Sequence, residues 1–287
     1  MVATLETFLS MMAQGFVQRA FVIGVVVALL SSILSVFIVL KRISLIGDGL
    51  SHTAFGGLAL GYYLNLVPLW VAGGVVLLGS IGITRLIRSS RIAGDAAVAV
   101  FLQLGLAVGI VLLGLARGFG MNLESLLFGS ILLVSVDQIL LASLVLAATV
   151  AIVLLFYKEL VYSTFDEVQA KASGIRTWFF DYMVSVLAGT AIIVSIPIVG
   201  VLLISALLVL PALTSTQVSN SFKQTVLLSP IFGLVSVILG LAASIILDTA
   251  SGATIVLVGL VIFLVILLVK RIREKRHHEK KGSMKQT

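Results

Sequence analysis

The sequence has no cysteine, only four prolines and few charged residues, which make up 11% of its 287 residues. Without cysteine the chain can form neither a disulfide nor a thiolate metal site. With so few charges it cannot give a soluble domain a solvated surface. Hydrophobic residues make up 60% of the chain and form long runs such as ILLASLVLAATVAIVLLF, whereas a membrane β-barrel would show short alternating segments. The sequence therefore predicts an all-α polytopic membrane protein.

Apolar runs bounded by charge, glycine or proline predict a bundle of about eight to nine transmembrane helices. Nine candidate spans are found, at residues 21–40, 43–64, 67–84, 96–116, 139–156, 182–196, 199–215, 226–247 and 254–269. If the C-terminus is cytoplasmic, all of the 19 lysines and arginines except Arg19 and Arg117 fall on the cytoplasmic side, as the positive-inside rule requires. We expect an external N-terminus.

The charge distribution also sets the expected domain organisation. Residues 1–270 are predicted to form the transmembrane domain, and residues 271–287 a basic cytoplasmic tail that is attracted to anionic lipid. The formal charge of +7 is explained by this topology, so no nucleic-acid partner is expected.

An aspartate and a histidine interrupt the second apolar run. A span that began at Leu50 would have 15 residues and a length of about 22 Å, too short for a hydrocarbon core of about 30 Å. Starting at Ile43 gives about 33 Å, so the length requirement places Asp48 and His52 inside the membrane. Their spacing of four puts both side chains on one helical face. Ionisable groups at that depth are costly and are expected to face a bundle interior or a wet pathway.

This pair has a structural and a metal-binding interpretation. In the first, Asp48 caps a helix that begins after Gly47, and His52 is hydrogen-bonded to it. In the second, an oxygen and a nitrogen ligand suit Mn(II), Fe(II) or Zn(II), and the lack of sulfur disfavours Cu(I). Two ligands make half a site, so other residues, water or a second subunit must supply the rest. Nearby Gly49 and Gly57 would allow close helix approach.

A polar stretch at residues 157–181 interrupts the spans on the cytoplasmic side. Within it, Thr164 can cap a short helix that has Asp166 and Glu167 in its first turn and ends at Gly174. We expect this amphipathic segment, at about residues 163–175, to lie at the inner membrane surface and to dock a partner.

Five stretches together resemble the membrane permease subunits of ABC transporters that import zinc, manganese or iron. GFVQRAFVIGVVVALLSSILSVFIVLKRISLIGDGLSHTAFGGLALGYYL resembles the first two helices of that family, and its GDGLSH element carries Asp48 and His52. ESLLFGSILLVS resembles the external loop, and STFDEVQAKASGI the cytoplasmic coupling segment. IVGVLLISALLVLPALTS resembles the glycine-to-proline helix, and LDTASGATIVLV the start of the last span. The resemblance runs nearly end to end and in order.

The resemblance implies an ABC importer permease fold and a half-transporter in a prokaryotic plasma membrane. A second permease chain would complete the pathway, two cytoplasmic ATP-binding subunits would dock on the coupling segments, and an external metal-binding protein would deliver Zn(II) or Mn(II). The chain contains no G-x-x-x-x-G-K-[ST] phosphate loop, so ATP would be hydrolysed by the partner. We therefore expect a pore-forming subunit that is not itself an enzyme and holds no permanent cofactor.

Positions that match the family carry its implied roles. Asp48 and His52 would be transient metal ligands in the pathway. The residues that would fit a groove on the ATPase are Phe165, Asp166, Glu167, Ala170 and Gly174.

Four further residues have a functional and a structural interpretation each. Glu124 and Asp137 are candidates for contacts with the metal-binding protein or for attracting the cation, with a solvated loop as the alternative. Asp248 is a third such candidate, with a turn or a helix cap as the alternative. Pro211 would kink its span and free a carbonyl, either for the pathway or as a consequence of packing.

Two other functions are compatible with a polytopic membrane protein. A permease for an iron chelate or another small substrate would need a wider pathway lined by aromatic or polar recognition groups. An intramembrane hydrolase would combine Ser51 or Ser251 with His52, but Ser51 and His52 are adjacent and point about 100° apart on a helix. The sequence favours the metal permease; it leaves open zinc, manganese or iron, and a homodimer or a heterodimer.

Overall fold

The computed structural model describes residues 13–89, 93–115, 127–129, 134–201 and 203–283, and within these ranges it contains helices and no β-strand. The helices are α1 (Gly15–Leu40), α2 (Ile46–Tyr63), α3 (Pro68–Ser89), α4 (Gly94–Leu115), α5 (Val136–Leu155), α6 (Tyr157–Phe165), α7 (Glu167–Ala172), α8 (Thr177–Val199), α9 (Ile204–Leu207), α10 (Leu210–Val218), α11 (Phe222–Leu247) and α12 (Ser251–Ser283).

Most of these helices are transmembrane candidates. Among the described residues, seven are long and apolar enough to cross a membrane: α1, α3, α4, α5, α8, α11 and the Ser251–Glu274 part of α12. The two other predicted spans correspond to α2, which carries Asp48 and His52, and to the shorter apolar stretch Ile204–Val218. The prediction of an all-α polytopic membrane protein is confirmed.

The stretch predicted as one span at residues 199–215 is divided, so that prediction is wrong. Helix α8 extends to Val199 and ends at Gly200, whose φ of +85° favours glycine. After the short α9, the chain begins a new helix at Leu210. Hydropathy is high throughout the stretch, so it does not reveal where the helix breaks.

A serine of α1 stabilises the second break. The Ser35 hydroxyl accepts the Ala212 N–H at 3.1 Å and lies 3.4 Å from the Val209 carbonyl, to which it donates. Pro211 lies in the first turn of α10, where its missing N–H is tolerated. The proline therefore marks the start of a new helix after a break. Irregular backbone at membrane depth is tolerated where protein buries it, and Pro211 is buried.

Helix α2 lies inside the bundle. It packs along its length against α3 and α4 and also contacts α8 and α9. A second group, formed by α1, α10, α11 and α12, packs together beside it. This arrangement explains how α2 can be polar and only 18 residues long, because other helices cover most of its surface.

Candidate metal site

Glycines allow α2 to lie very close to its neighbours. A methyl group on Gly105 of α4 would lie 2.3 Å from the His52 carbonyl oxygen, and one on Gly56 would lie 2.8 Å from the Gly105 carbonyl oxygen. On the other side, a methyl group on Gly57 would lie 2.7 Å from the Cα atom of Ala72 in α3. Backbone therefore packs directly on backbone, which holds α2 in one position between α3 and α4.

Asp48 and His52 occupy the one open face of this part of α2. Every other residue from Ile46 to Ala59 is buried, whereas these two are partly exposed. The side chains are four residues apart on the same helical face and interact electrostatically. The fold therefore leaves both potential ligands accessible while it covers the apolar and small residues around them.

The neighbouring spans fix the depth of His52. Its carbonyl contacts Gly105, the twelfth residue of the 22-residue α4, and the next residue, Thr53, contacts Gly79, the twelfth residue of the 22-residue α3. Both helices are long and apolar enough to cross a membrane. His52 therefore lies level with the midpoints of two such helices.

The structural interpretation of the pair does not match this geometry. Helix α2 begins at Ile46, before Asp48, and its N-cap residue Leu45 makes no side-chain capping bond. Asp48 therefore lies within the first turn and does not cap the helix. Within the described residues no hydrogen bond joins Asp48 to His52, and the buried Nδ1 atom of His52 has no hydrogen-bond partner. No hydrogen bond from the described part of the chain therefore engages the imidazole, and its partly exposed ring lies one helical turn from a carboxylate.

Asp48 and His52 are two potential ligands, fewer than a metal ion needs. Among the described residues no cluster of three or more histidine, cysteine, aspartate or glutamate side chains could hold a metal ion. Transition-metal sites with oxygen and nitrogen ligands contain four or more donors. A complete site would need water or residues from outside this set.

The broken helix lies against the start of α2. A methyl group on Gly47 would lie 3.2 Å from the Cα atom of Ser205 in α9 and 3.5 Å from the Leu208 side chain. The irregular segment is therefore adjacent to the residue that precedes Asp48. The kink predicted at Pro211 lies on the same broken segment, one helical turn further along the chain.

Two of the three candidates predicted on the external side are described by the structure, and both lie at helix ends. Glu124 lies outside the described residues. Asp137 is exposed in the first turn of α5, which Ser135 and Gln138 cap reciprocally. Asp248 is exposed and ends α11 with a left-handed φ of +50°. These positions fit the alternative interpretations of a solvated surface and a helix cap.

The predicted cytoplasmic segment forms α6 and α7. Asp166 caps α7, because its carboxylate accepts the Gln169 N–H at 2.8 Å. The prediction that Thr164 is the cap is wrong, since α6 extends past Thr164 and its hydroxyl donates to the Leu160 carbonyl at 2.6 Å. The segment ends as predicted at Gly174, whose φ is +82°.

The two faces of this segment differ. Ala170 is buried against the bundle, whereas 62% of Phe165 and 80% of Val168 are exposed. Glu167 is half-exposed and accepts a hydrogen bond from the Lys171 ammonium at 2.7 Å. That hydrogen bond lowers the pKa of the Glu167 carboxyl, with smaller contributions from Thr177 and Arg88, although partial burial opposes the shift. The segment thus presents an apolar and charged surface away from the membrane domain.

Sequence reasoning missed a group of charged residues next to this segment. Lys41, Arg88 and Asp181 lie at the ends of three different helices and line, together with residues of this segment, a cavity of about 800 Å³. Each was recognisable only as a charge at the end of a span. Their association could not be predicted, because it depends on which helix ends are neighbours.

Comparisons with known proteins identify relatives over nearly the whole chain. The sequence profile of the ABC 3 transport family matches residues 13–270. The chain is 32% identical over 258 residues to the manganese transport system membrane protein MntC of Listeria innocua, which covers 90% of this chain and 92% of that protein. It is 33% identical over 266 residues to the manganese import system permease protein ScaB of Streptococcus parasanguinis, covering 92% and 94%.

A solved structure has the same fold. PsaBC from Streptococcus pneumoniae, determined in complex with a Fab, superimposes on this chain with a TM-score of 0.81 at 33% sequence identity. The match covers 93% of this chain and 95% of the matched chain. The arrangement of helices described above is therefore shared with a solved relative.

Proposed function

Because this chain belongs to the ABC 3 transport family, we propose that it is the permease subunit of an importer for a divalent transition metal ion, with manganese as the first candidate. The observation that carries the proposal is the position of Asp48 and His52. Both lie on the open face of α2, His52 is level with the midpoints of α3 and α4, and its Nδ1 atom has no hydrogen-bond partner in the described structure. A cation that crosses the membrane here would meet a carboxylate and an imidazole in succession.

Two copies of the chain would complete the pathway. One copy offers two ligands, and their face of α2 is left open by the other helices. Two chains related by a twofold axis would place two such faces opposite each other, with two carboxylates and two imidazoles around one ion. Such a site would satisfy the donor number of a transition metal without any further protein ligand.

A partner ATPase would supply the energy. The sequence has no phosphate loop of its own, and the exposed Phe165 and Val168 side chains offer α6 and α7 as a docking surface on the cytoplasmic side. ATP binding and hydrolysis would move this surface and open the pathway alternately to each side. An external metal-binding protein would deliver the ion.

This function sets the orientation of the chain. Residues 1–270 would form the membrane domain in a prokaryotic plasma membrane, with α6, α7 and the C-terminus in the cytoplasm. The basic tail at residues 271–287 would lie beside anionic headgroups, and in the described part of the chain it continues α12 as a helix to Ser283.

Manganese is favoured over zinc by the relatives. MntC of Listeria innocua and ScaB of Streptococcus parasanguinis both carry manganese in their names. The ligand chemistry is compatible with that choice, since a carboxylate oxygen and an imidazole nitrogen without sulfur accept Mn(II) as well as Zn(II).

The test measures metal accumulation in cells that lack this chain. Wild type, Asp48→Ala, His52→Ala and Ser51→Ala are expressed, and cellular manganese and zinc are quantified after starvation for either metal. Wild type should restore manganese, and the Asp48 and His52 variants should fall to the level of cells without the chain, although both still co-purify with the ATPase.

Ser51→Ala is the matched control. Ser51 lies on the same helix and is buried, and its hydroxyl donates to the Gly47 carbonyl of its own helix at 2.7 Å. This variant should accumulate manganese like wild type, whereas an intramembrane hydrolase that used Ser51 would lose its activity. Normal accumulation by Asp48→Ala and His52→Ala would refute the proposed site, and restoration of zinc instead of manganese would change the metal.

A further inference from the structure

Four charged residues connect the cytoplasmic segment to the ends of three spans. Arg88, at the end of α3, donates to Glu167 of α7 at 3.5 Å and also to Asp181 near the start of α8. The other carboxylate oxygen of Asp181 accepts from the Lys41 ammonium at 2.6 Å. Lys41 is the C-cap residue of α1. A continuous chain of ion pairs therefore runs from α7 to the end of α1.

In the proposed membrane orientation, these ion pairs lie at the inner edge of the hydrocarbon core. Arg88 is nine residues beyond Gly79, the residue at the midpoint of α3, which is about 14 Å along the helix. Only 7% of the Lys41 side chain and 24% of the Asp181 side chain are exposed. Exposed ion pairs contribute little, but removing one partner of a buried pair leaves an uncompensated charge and is costly. Asp181 is the residue on which the chain of ion pairs depends, because its two oxygens bind two different cations.

An aromatic contact provides a second connection from the same segment. The ring of Phe222, the first residue of α11, lies 5.4 Å from that of Phe165 in α6 and 6.1 Å from that of Phe37 in α1, centroid to centroid. Both pairs have the edge-on geometry that aromatic rings favour. Phe222 therefore links the docking segment to the last turn of α1 by packing.

The chain of ion pairs and the aromatic contact both end at the last turn of α1. Phe37 and Lys41 are four residues apart and lie on the same face of α1. Phe37 is buried, so a displacement of its ring partner must displace α1 or be absorbed by repacking.

A rigid turn joins this end of α1 to the helix that carries Asp48. The Ile43 N–H donates to the Ile38 carbonyl and the Arg42 N–H to the Val39 carbonyl, both at 3.1 Å. Together with the left-handed φ of +59° at Arg42, these bonds form a Schellman motif, which ties the exit of a helix to its last turn. Helix α2 begins only three residues after Ile43. A movement of the α1 end would therefore be passed on to the start of α2.

We propose that the last turn of α1 is where the docking segment acts on the metal-binding helix, and that Asp181 and Phe222 are the positioning residues that transmit this action. The proposal rests on the proposed function, since it assigns the route by which a partner ATPase would move Asp48. Neither residue touches the ion. Substituting Asp181 or Phe222 should reduce metal transport while ATP hydrolysis continues. Substituting a residue needed only for folding would reduce both.

The experiment uses the full chain, assembled with its ATPase and reconstituted into liposomes, and measures manganese transported per ATP hydrolysed. In Asp181→Asn an amide N–H₂ replaces one carboxylate oxygen and opposes either Lys41 or Arg88. We expect this ratio to fall about tenfold, the scale of a coupling free energy between two sites, while the rate of ATP hydrolysis stays within a factor of about two. Phe222→Leu should lower the ratio in the same way, and Asp181→Glu, which keeps the carboxylate, should restore much of it.

Arg85→Gln is the matched control. Arg85 is on the same helix as Arg88, is exposed, and makes no ion pair within the described residues, so its variant should couple like wild type. If Asp181→Asn does not accumulate, Arg88→Gln, whose side chain is more exposed than that of Lys41, gives the same readout. Wild-type coupling in the Asp181 and Phe222 variants would overturn the inference, and so would loss of ATPase binding in them. A wild-type complex that transports no metal would instead refute the proposed function.

Discussion

The main chain of His52 rests directly on Gly105. The space between them is so small that a methyl group on Gly105 would lie 2.3 Å from the His52 carbonyl oxygen and 2.7 Å from the Thr53 nitrogen. A glycine of α4 thereby sets how deep the candidate ligands lie and which way their helix face is turned.

Gly105→Ala should therefore displace α2 from α4. Backbone atoms cannot rotate away as a side chain can, so the cost should be at least the roughly 1–3 kcal/mol of an overpacked core, and manganese accumulation should be lost. Thermal unfolding in detergent and cellular manganese measure the two effects. Gly114→Ala is the control on the same helix, because nothing lies within 4 Å of its added methyl group. Equal behaviour of the two variants would contradict the depth argument.

Ser35→Ala should destabilise the break between α9 and α10. Without the hydroxyl, the N–H of Ala212 loses its acceptor in a buried position, which costs about 1–3 kcal/mol. The free energy of unfolding in detergent measures the loss. Ser195→Ala should have a smaller effect, since the Ser195 hydroxyl is also buried but donates only to the Ala191 carbonyl of its own helix. A larger loss in Ser195→Ala would show that Ser35 does not stabilise the break.

Gly252→Ala should disturb the packing between the end of α8 and the start of α12. Its methyl group would lie 1.9 Å from the Val199 carbonyl oxygen and 2.5 Å from that of Phe128. The start of α12 could then no longer pack against the end of α8 and against residues 127–129. We expect a lower melting temperature and reduced manganese accumulation. In Gly259→Ala, on the same helix, the nearest atoms lie at 3.4 Å, an ordinary contact, and both properties should remain close to wild type. Unchanged behaviour of Gly252→Ala would contradict the close packing of these segments.

Glu167→Gln should lower the stability of the folded chain, and the size of this effect should depend on pH. The hydrogen bond from Lys171 lowers the pKa of the Glu167 carboxyl below its ordinary value of 4.5. The ionised form therefore stabilises the folded state above that value, and this contribution is lost as the pH falls through the lowered pKa. The difference in melting temperature between wild type and the variant should be constant from about pH 8 to about pH 5.5 and should shrink below the ordinary pKa.

Lys171→Met provides the control for this titration, because it removes the largest cause of the shift. In the Lys171→Met background, the difference in melting temperature that Glu167→Gln causes should depend less on acidic pH. A difference between wild type and Glu167→Gln that grows as the pH falls would contradict the assigned direction.

The sequence was informative wherever a property depends on neighbours along the chain. Continuous hydropathy located the spans, and the spacing of Asp48 and His52 placed them on one helical face. The same local reasoning was wrong at Thr164, because α6 extends past this residue. It was also wrong at Gly200 and Leu210, where an apolar stretch is broken without a change in composition.

By itself, the sequence determined that this chain is a polytopic helical membrane protein with a carboxylate and an imidazole on one face of a span. Both properties depend on residues within one to six helical turns of each other, so they can be read from a local stretch of sequence. Only the tertiary structure decided that His52 lies against Gly105, that Ser35 holds a broken helix, and that Asp181 joins Lys41 to Arg88. The partners in these contacts lie 53 to 177 residues apart in the chain. The packing of the spans decides which backbone segments and which charged residues become neighbours. A local sequence pattern does not show how the spans pack.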